Sequence, residues 1–265
     1  MHANERETMI LGLVAERDFV SFSELERVMA ASAATIRRDL TRLAQEGHIL
    51  RVRGGVKTTQ PLPNDTAANL IGTRRLLGVP FQENQQLHRT EKEAIGKAAA
   101  KLCVAGEAVM IDGGSTTLQM CPHIASLGLQ VLTNSLHIVA GLIDQPDTRI
   151  LVPSGAVFAE QNIILSAFGD DGMPRFHAPK LFMGAASIGP LGIMQLDIIL
   201  VASERRFIDR ADEIIVLVDS SKFSAPSGHV VCELERIDTI VTDNGITDDT
   251  RKMLEAAGVK VVIAA

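Results

Sequence analysis

The first part of this chain takes its fold from residues 32–55, SAATIRRDLTRLAQEGHILRVRGG. Ile36, Leu40 and Leu43 recur at intervals of four and three residues, so they share one face of a predicted helix. Ser32 directly precedes the pattern and is predicted to cap the helix, because its hydroxyl can accept a backbone N–H of the first turn. The apolar face indicates that the helix packs on a core and leaves its other face to solvent.

A short pair of strands is predicted to follow the helix. Gly47 marks the helix end, and the alternation from Ile49 to Val52 is typical of a half-buried strand. Gly54 and Gly55 then permit a tight turn into a second strand that carries Lys57. A helix followed by such a ribbon is the arrangement of a winged helix-turn-helix.

The exposed face of this helix and the ribbon are basic. Residues 33–57 contain six Lys/Arg against two acids, although the whole chain carries a net charge of −6. A basic cluster within an acidic chain favours nucleic-acid binding over the alternative, a merely solvated helix face. Asp39, one of the two acids, is expected to hold an arginine in an ion pair. The predicted DNA-contacting residues are Ser32, Thr35, Arg37, Arg38, Thr41, Arg42, Arg51 and Arg53.

The residues before this stretch complete the motif. Residues 5–15 carry apolar side chains at helical spacing, and residues 20–22 form a short extended link. Ser23 is predicted to cap a second helix that runs through Met29. Two helices, a small-residue turn, a recognition helix and a wing therefore follow one another in the order typical of DNA readers of this kind.

At these positions the chain resembles the DeoR family of bacterial transcriptional regulators. The similarity is carried by TIRRDL at residues 35–40, by Glu46-Gly47, and by RVRGGV at residues 51–56. Arg53 stands where the family usually has histidine or tyrosine, and Val56 stands where alanine is usual. Both changes are mild, and the resemblance implies an N-terminal domain that binds double-stranded operator DNA.

Composition argues against several other classes of protein. A chain of 265 residues predicts about two domains. Residues 1–6 are polar and charged, and no apolar run approaches the roughly 20 residues that span a bilayer, so we expect a cytoplasmic protein without a membrane partner. The three cysteines are far apart and the seven histidines show no helical pairing, so no disulfide framework, metal site or cofactor is expected.

Charge divides the chain into two parts. Residues 1–58 contain nine Lys/Arg and eight Asp/Glu, which leaves 17 basic and 24 acidic residues for the rest. An acidic body is repelled by DNA and is expected to have another role. We predict a DNA-binding domain at 1–57, a linker at 58–89 with a short helix near 67–77, and a sensing and oligomerisation domain at 90–265.

From Glu91 onward the pattern alternates between helices and short apolar strands. A helix is predicted from Glu91 to Cys103, and buried strands are predicted at residues 107–111, 130–132, 149–152, 180–183, 214–218, 239–241 and 259–263. Short apolar strands between helices indicate a parallel sheet covered on both faces. The fold class is therefore α/β, and a ligand is expected beyond the carboxyl ends of the strands.

A phosphate-binding loop is predicted directly after the first of these strands. Its glycines let backbone N–H groups converge on an anion, its hydroxyls add donors, and a helix is expected to start at Leu118. The loop lacks the lysine and the spacing of a Walker loop, and a plain connecting turn is the alternative interpretation. Its residues are Asp112, Gly113, Gly114, Ser115, Thr116 and Thr117.

Polar residues at the other strand ends supply the remaining candidates for the effector site. Lys222 is expected to bring a cation to the phosphate, and an exposed lysine is the alternative. Glu204 is expected to accept sugar hydroxyls, and a surface acid paired with Arg205 or Arg206 is the alternative. The full set is Thr133, Asn134, Ser135, Ser154, Gly155, Gly184, Ala185, Glu204 and Lys222.

These loops also resemble the DeoR-type effector domain in order and spacing. The match covers EKEAI at residues 91–95, the loop at 112–117, TNS at 133–135 and DSSKF at 219–223. Ser154-Gly155 departs from the two glycines that are usual there. The resemblance implies a C-terminal domain with the fold of ribose-5-phosphate isomerase and the CoA transferases, and a repressor controlled by a phosphorylated sugar or sugar derivative.

Residues 176–185 and 189–192 are similar to the ascorbate-utilisation repressor branch of that family. This similarity implies a sugar acid phosphate or a pentose phosphate as the effector. Because one winged module buries too little surface for tight operator binding, a homodimer or homotetramer is expected.

Two other functions stay open at this stage, although a protein without enzymatic activity is expected. The first is a sugar-phosphate isomerase-like enzyme with a DNA-binding appendage, in which Asp112, Glu204 and Lys222 are the acid/base groups. The second is a constitutive DNA-binding scaffold whose C-terminal domain only oligomerises. A small molecule that changes DNA affinity distinguishes the repressor from the scaffold, and turnover distinguishes it from the enzyme.

Overall fold

The chain forms two compact units, Met1–Thr73 and Arg74–Ala265. The computed structural model describes residues 6–7, 9–11, 13–14, 19–22, 25, 28–29, 31–45, 48–52, 55–58, 79–165, 175–224 and 228–264. Within these ranges, no helix is both long enough and apolar enough to cross a membrane.

A three-stranded antiparallel sheet and a long helix organise the first unit. Strand β1 is Phe19–Ser21, helix α1 is Ala33–Gln45, strand β2 is Ile49–Val52 and strand β3 is Gly55–Thr58. The sheet order is β1-β3-β2, and β2 and β3 form a hairpin in which Val52 pairs with Gly55. The predicted recognition helix and the two-stranded wing are confirmed.

Helical residues lie on both sides of β1. Every described residue within 6–14 is helical, and so are Phe22, Leu25 and Val28. Phe22 therefore belongs to the second helical stretch, whereas it was expected in the extended link. The expected cap Ser23 lies outside the described residues. The apolar side chains of these elements form one core, made of Ile10, Val14, Val20, Leu25, Met29, Ile36, Leu40, Leu43, Ile49 and Val56.

Twelve strands are described in the second unit. They are β4 (Ala108–Ile111), β5 (Gln130–Leu132), β6 (Arg149–Leu151), β7 (Ala156–Phe158), β8 (Ile163–Leu165), β9 (Ala178–Met183), β10 (Ser187–Gly189), β11 (Gly192–Gln195), β12 (Ala211–Leu217), β13 (His229–Cys232), β14 (Thr239–Thr242) and β15 (Lys260–Ile263). Seven of them form one sheet in the order β15-β14-β12-β9-β4-β5-β6, with every neighbouring pair parallel. These are the seven strands that the sequence predicts, so the α/β class is confirmed.

Apolar residues cover both faces of this sheet. Alternate side chains of a strand point to opposite faces, so Ile214 and Val216 of β12 join one core while Ile215 and Leu217 join the other. The described helices of this unit are α2 (Phe81–Gln86), α3 (Arg89–Ala100), α4 (Leu136–Leu142), α5 (Ile198–Ile208) and α6 (Asp248–Ala256). Burial on both faces explains why the strands are continuous apolar runs.

The structure departs from the sequence prediction in the connecting segments. The helix expected from Leu118 is a 3-10 helix, Thr117–His123, and it contains Pro122, which lacks the N–H that an α-helix needs. Helix α2 lies within residues 58–89, the expected linker, yet belongs to the second unit. The helix expected near 67–77 lies outside the described residues. The β7–β8 hairpin and the antiparallel sheet β10-β11-β13 were not predicted, because these strands have only three or four residues each, too few to show a clear periodicity.

Candidate functional site

The amino end of α1 presents two hydroxyl groups. The oxygen Oγ of Ser32 accepts the backbone N–H of Thr35 at 3.2 Å, which confirms that Ser32 caps the helix. The hydroxyls of Ser32 and Thr35 also share a hydrogen bond of 2.9 Å. Both side chains therefore lie at the end of the helix that contacts bases in winged-helix DNA readers.

Three consecutive charged residues of α1 have different surroundings. The guanidinium carbon of Arg37 lies 4.8 Å from the centre of the Phe22 ring, a cation–π contact. Asp39 is buried and accepts a hydrogen bond of 2.7 Å from Arg6 Nε, so its expected ion-pair role is confirmed. Arg38 is exposed, and no hydrogen bond or ion pair joins its guanidinium to a described residue. Within the described residues, the guanidinium of Arg38 therefore faces solvent.

The other predicted DNA contacts lie at the carboxyl half of α1 and on the wing. The hydroxyl of Thr41 accepts a hydrogen bond of 2.8 Å from Arg51 Nη1, and it donates to the helix backbone. This contact joins the wing to the recognition helix. Arg42 forms an ion pair with Glu7, so its charge already has an internal partner. Arg53 lies outside the described residues.

A cavity of about 310 Å³ opens in the second unit at the carboxyl ends of β4, β9 and β12. Parallel strands end at the same edge of a sheet, so loops that are distant in sequence meet there. Ten of the expected effector residues line the cavity: Asp112, Gly113, Gly114, Ser115, Thr116, Asn134, Gly184, Ala185, Glu204 and Lys222.

Buried hydrogen bonds with Asn134 fix the conformation of the loop after β4. Asn134 Nδ2 donates to Asp112 Oδ1 at 2.8 Å, and Asn134 Oδ1 accepts the N–H of Gly113 at 2.9 Å. A Cβ at Gly113 would lie 2.7 Å from a methyl carbon of Ile163, so only glycine fits there. Burial raises the pKa of Asp112 to about 6.

The next three backbone N–H groups of this loop differ from that of Gly113 in their hydrogen bonding. Gly114, Ser115 and Thr116 line the cavity, and their N–H groups donate to no described residue. Unpaired backbone donors beside a cavity need an acceptor, and an anion supplies one. The N–H groups of this loop that remain for a ligand are therefore those of Gly114 to Thr116, since the N–H of Gly113 donates to Asn134.

Glu204 lies on the wall formed by α5. Its oxygen Oε1 accepts a hydrogen bond of 2.6 Å from Gln195 Nε2, whereas the buried Oε2 has no partner among the described residues. Burial raises the pKa of Glu204 well above its usual value, and the nearby charge of Asp112 raises it further. This side chain is buried, so the alternative of a surface acid paired with an arginine is wrong.

Two lysines line the cavity, and the sequence interpretation included only one of them. Lys222 follows β12, as expected, whereas Lys92 of α3 was missed. Lys92 is only 1% exposed. Its position, three residues before Ile95 and seven before Ala99, places it on the buried stripe of that helix, and this spacing is the signal that identifies it.

Five expected effector residues do not line the cavity. The hydroxyl of Thr117 is buried and donates to the backbone carbonyls of residues 112 and 114 at 2.8 and 3.0 Å. Thr133 Oγ1 accepts the N–H of Ser135 at 3.1 Å, and Ser135 caps α4. Ser154 and Gly155 are exposed after β6, the edge strand, whereas the cavity opens over the centre of the sheet. Thr117, Thr133 and Ser135 therefore shape their loops, and Ser154 and Gly155 lie outside the lining of the cavity.

Helix α2 forms a further wall of the cavity that sequence reasoning missed. Phe81 and Asn84 line it, and the ring of Phe81 stacks on His137 with the ring centres 4.1 Å apart. The N–H of Phe81 donates to the carbonyl of Glu160 at 3.1 Å, next to the β7–β8 hairpin. The site therefore includes a segment that precedes the first strand of the sheet.

Comparison with known proteins agrees with this description of two domains. Residues 87–244 match the family model described as the DeoR C terminal sensor domain. Residues 6–61 match the model of the DeoR-like helix-turn-helix domain.

Individual relatives cover nearly the whole chain. The chain is 28% identical over 259 residues to the HTH-type transcriptional regulator UlaR of Shigella dysenteriae serotype 1 (strain Sd197), which covers 97% of this chain and 98% of that protein. It is 27% identical over 259 residues to UlaR of Escherichia coli (strain SMS-3-5 / SECEC), with the same coverage of 97% and 98%.

Similar solved structures include an enzyme and a regulator. Ribose 5-phosphate isomerase A from Methanocaldococcus jannaschii aligns with a TM-score of 0.36 and 17% identity over 50% of this chain and 53% of that chain. The full-length sorbitol operon regulator SorC from Klebsiella pneumoniae aligns with a TM-score of 0.39 and 11% identity over 96% of this chain and 99% of that chain.

Proposed function

Since this chain belongs to the DeoR family of transcriptional regulators, we propose that it is a repressor whose affinity for operator DNA is set by a phosphorylated sugar or sugar derivative. The single observation that carries the effector part of this proposal is the cavity lined by two lysines and by three backbone N–H groups that donate to no described residue. The double-stranded operator is bound by residues 1–57, and the effector is bound by the domain at 90–265 together with α2.

The surface of α1 and the wing supports the DNA-binding half of the proposal. Ser32 and Thr35 lie at the first turn of α1, and Arg38 is exposed with no partner among the described residues. Arg37 is supported by Phe22, and Arg51 is held against Thr41, so both guanidinium groups are positioned before DNA arrives. Preordered side chains lose less conformational entropy on binding.

The chemistry of the cavity supports a phosphorylated ligand with hydroxyl groups. The N–H groups of residues 114–116 and the ammonium of Lys222 suit a phosphate, because charge-assisted hydrogen bonds to an anion are the strong ones. Asp112, Asn134 and Glu204 suit the hydroxyls of a sugar, because carboxylate and amide oxygens accept hydrogen bonds. A cavity of about 310 Å³ is large enough for a pentose or hexose phosphate.

The test uses DNA that the protein selects from a random pool, followed by titration of the complex with sugar phosphates. We expect one phosphosugar to change the DNA affinity by tenfold or more, which requires only about 1.4 kcal/mol of coupling. The parent sugar without phosphate is expected to have little effect. Equal responses to both compounds would show that the site does not recognise phosphate.

Lys222→Ala separates effector binding from DNA binding. The variant is expected to keep its affinity for the selected DNA and to lose the response to the phosphosugar, because the charge-assisted bond to phosphate contributes about 1.5–3 kcal/mol. Calorimetry of effector binding and gel shifts with DNA measure the two properties independently. Arg251→Ala, which changes an exposed cation on α6, is the matched control.

A second candidate function, sugar-phosphate isomerisation, is favoured by one specific observation. Asp112 and Glu204 are both buried and line the same cavity, and burial raises the pKa of each carboxyl. Carboxyl groups with raised pKa values are typical acid/base catalysts. NMR spectra of pentose and hexose phosphates incubated with the protein test this function, and under the repressor proposal the spectra stay unchanged.

A further inference from the structure

Lys92 is the largest fully buried side chain of the described residues that carries a charged group. Its ammonium nitrogen donates to the backbone carbonyl of Asn84 and, at 3.1 Å, to the side-chain oxygen of Asn84. An ammonium group has three N–H donors, so one donor has no acceptor among the described residues. That part of the chain also provides no carboxylate in an ion pair with it.

The surroundings of Lys92 make the charged form of its ammonium group energetically unfavourable. Burying an ammonium without an ionic partner is unfavourable, and burial lowers the pKa of Lys92 to about 8. The nearby charge of Lys222 contributes to this lowering of the pKa, whereas the charges of Asp219 and Glu91 oppose it. Two lysines close enough to influence each other therefore line one cavity, and an anion between them would relieve the repulsion.

We propose that Lys92 is a second cation of the effector site, and that it binds the dianionic phosphate of the effector together with Lys222. This inference rests on the proposed function. The phosphate accepts a hydrogen bond from the N–H of Lys92 that has no acceptor among the described residues. It also competes with the side-chain oxygen of Asn84 for a second N–H of Lys92, while the backbone carbonyl of Asn84 keeps the third. A dianion is favoured over a monoanion, since two cations face it.

The test is calorimetry of the full chain with inorganic phosphate as the probe. Lys92→Met removes the charge and keeps an apolar stem of similar length, and it is expected to weaken phosphate binding about 10-fold to 150-fold. Lys97→Met, an exposed lysine on the same helix outside this cavity, is the matched control and is expected to bind like the wild type.

Asn84→Ala tests whether Lys92 binds the phosphate directly or only holds α2 in place. This variant loses one hydrogen bond between α2 and Lys92 but retains the lysine. Under the proposal it loses much less affinity for phosphate than Lys92→Met does, because the ammonium that binds the phosphate is retained. If Asn84→Ala loses as much affinity as Lys92→Met, the role of Lys92 is to position α2 and the proposal is wrong.

A second measurement needs no variant at this position. Sulfate is a dianion that does not titrate near pH 8, so any protons taken up on sulfate binding at that pH pass from the buffer to the protein. With a pKa of about 8, Lys92 is half charged there, and uptake of about half a proton per sulfate is expected. Calorimetry in two buffers of different ionisation enthalpy measures this uptake, and a release of protons on sulfate binding would overturn the proposal.

The remaining outcomes separate this inference from the proposed function. Phosphate binding that survives Lys92→Met but is lost in Lys222→Ala removes Lys92 from the site and leaves the phosphate site intact. A wild-type protein that binds neither inorganic phosphate nor any phosphosugar overturns both the proposed function and the inference.

Discussion

At the scale of single residues, Asp112 gives the domain a defined pH dependence. Burial raises its pKa from 3.8 to about 6, so the folded chain retains a proton that the unfolded chain releases between about pH 4 and pH 6. The stabilisation is complete below pH 4 and is lost as the pH rises through 6. The free energy of unfolding is therefore expected to fall across this window by about 3 kcal/mol, at about 1.4 kcal/mol per pKa unit.

Asp112→Asn is the variant that isolates this effect. It keeps an oxygen that can accept the hydrogen bond from Asn134, and it cannot titrate. Urea unfolding at a series of pH values from 4 to 7 is expected to show a smaller decline for the variant than for the wild type. Parallel curves for the two proteins would mean that the carboxyl at 112 does not titrate in this window.

Arg38 is the residue of α1 from which we expect a direct contribution to operator binding. It is exposed and has no partner in the described part of the chain, unlike Arg42, which pairs with Glu7. Arg38→Ala is expected to weaken binding by about 1–3 kcal/mol if the guanidinium reads a guanine. Fluorescence anisotropy with selected DNA measures the change, and Arg89→Ala, an exposed arginine of the second unit, is the control. An unchanged affinity removes Arg38 from the interface.

At the scale of elements, α2 is the least predictable part of the site and has a clear energetic role. Phe81 is 3% exposed and stacks on His137, so Phe81→Ala leaves a void where an aromatic ring packs. The expected loss is about 3–5 kcal/mol in the free energy of unfolding. Gln82→Ala, on the exposed side of the same helix, is expected to change it little. Urea unfolding of both variants makes the comparison, and equal stabilities would show that α2 is not anchored by its aromatic ring.

Elements differ in how well local sequence predicts them. The strands of the parallel sheet are apolar runs because both of their faces are buried, and this requirement is visible within each short segment. Helix α2 is short and is stabilised by contacts with residues 137 and 160, which are distant in sequence. Its surroundings in sequence contain proline and glycine, which favour a linker interpretation. Tertiary packing therefore overrides a weak local preference at this segment.

At the scale of the whole molecule, DNA recognition by one winged module predicts self-association. A single module buries too little surface for tight binding, whereas a dimer reads two half-sites about 34 Å apart, or a multiple of that distance. We expect the full chain to sediment as a dimer or tetramer at micromolar concentration. We also expect the DNA that it selects to contain an inverted repeat. A monomer that binds a single half-site with full affinity would contradict this prediction.

Local sequence patterns were sufficient to predict the winged helix-turn-helix of the first unit and the parallel sheet of the second. The periodicity of Ile36, Leu40 and Leu43 fixes which face of α1 packs on the core, and the cap at Ser32 fixes where the helix begins. The apolar strands and the polar loops after them predict a ligand at one edge of the sheet, because parallel strands all end there. These features depend on residues that are close together in the chain.

The membership of the cavity could be obtained only from the folded structure. The order of the sheet places β9 between β4 and β12, so loops more than a hundred residues apart meet there while Ser154 and Gly155 at the edge strand do not. Burial of Lys92 beside Lys222, and of Glu204 beside Asp112, follows from the same convergence. Periodicity records which face of an element is buried, but which buried faces meet is set by packing between distant segments, and no local pattern encodes it.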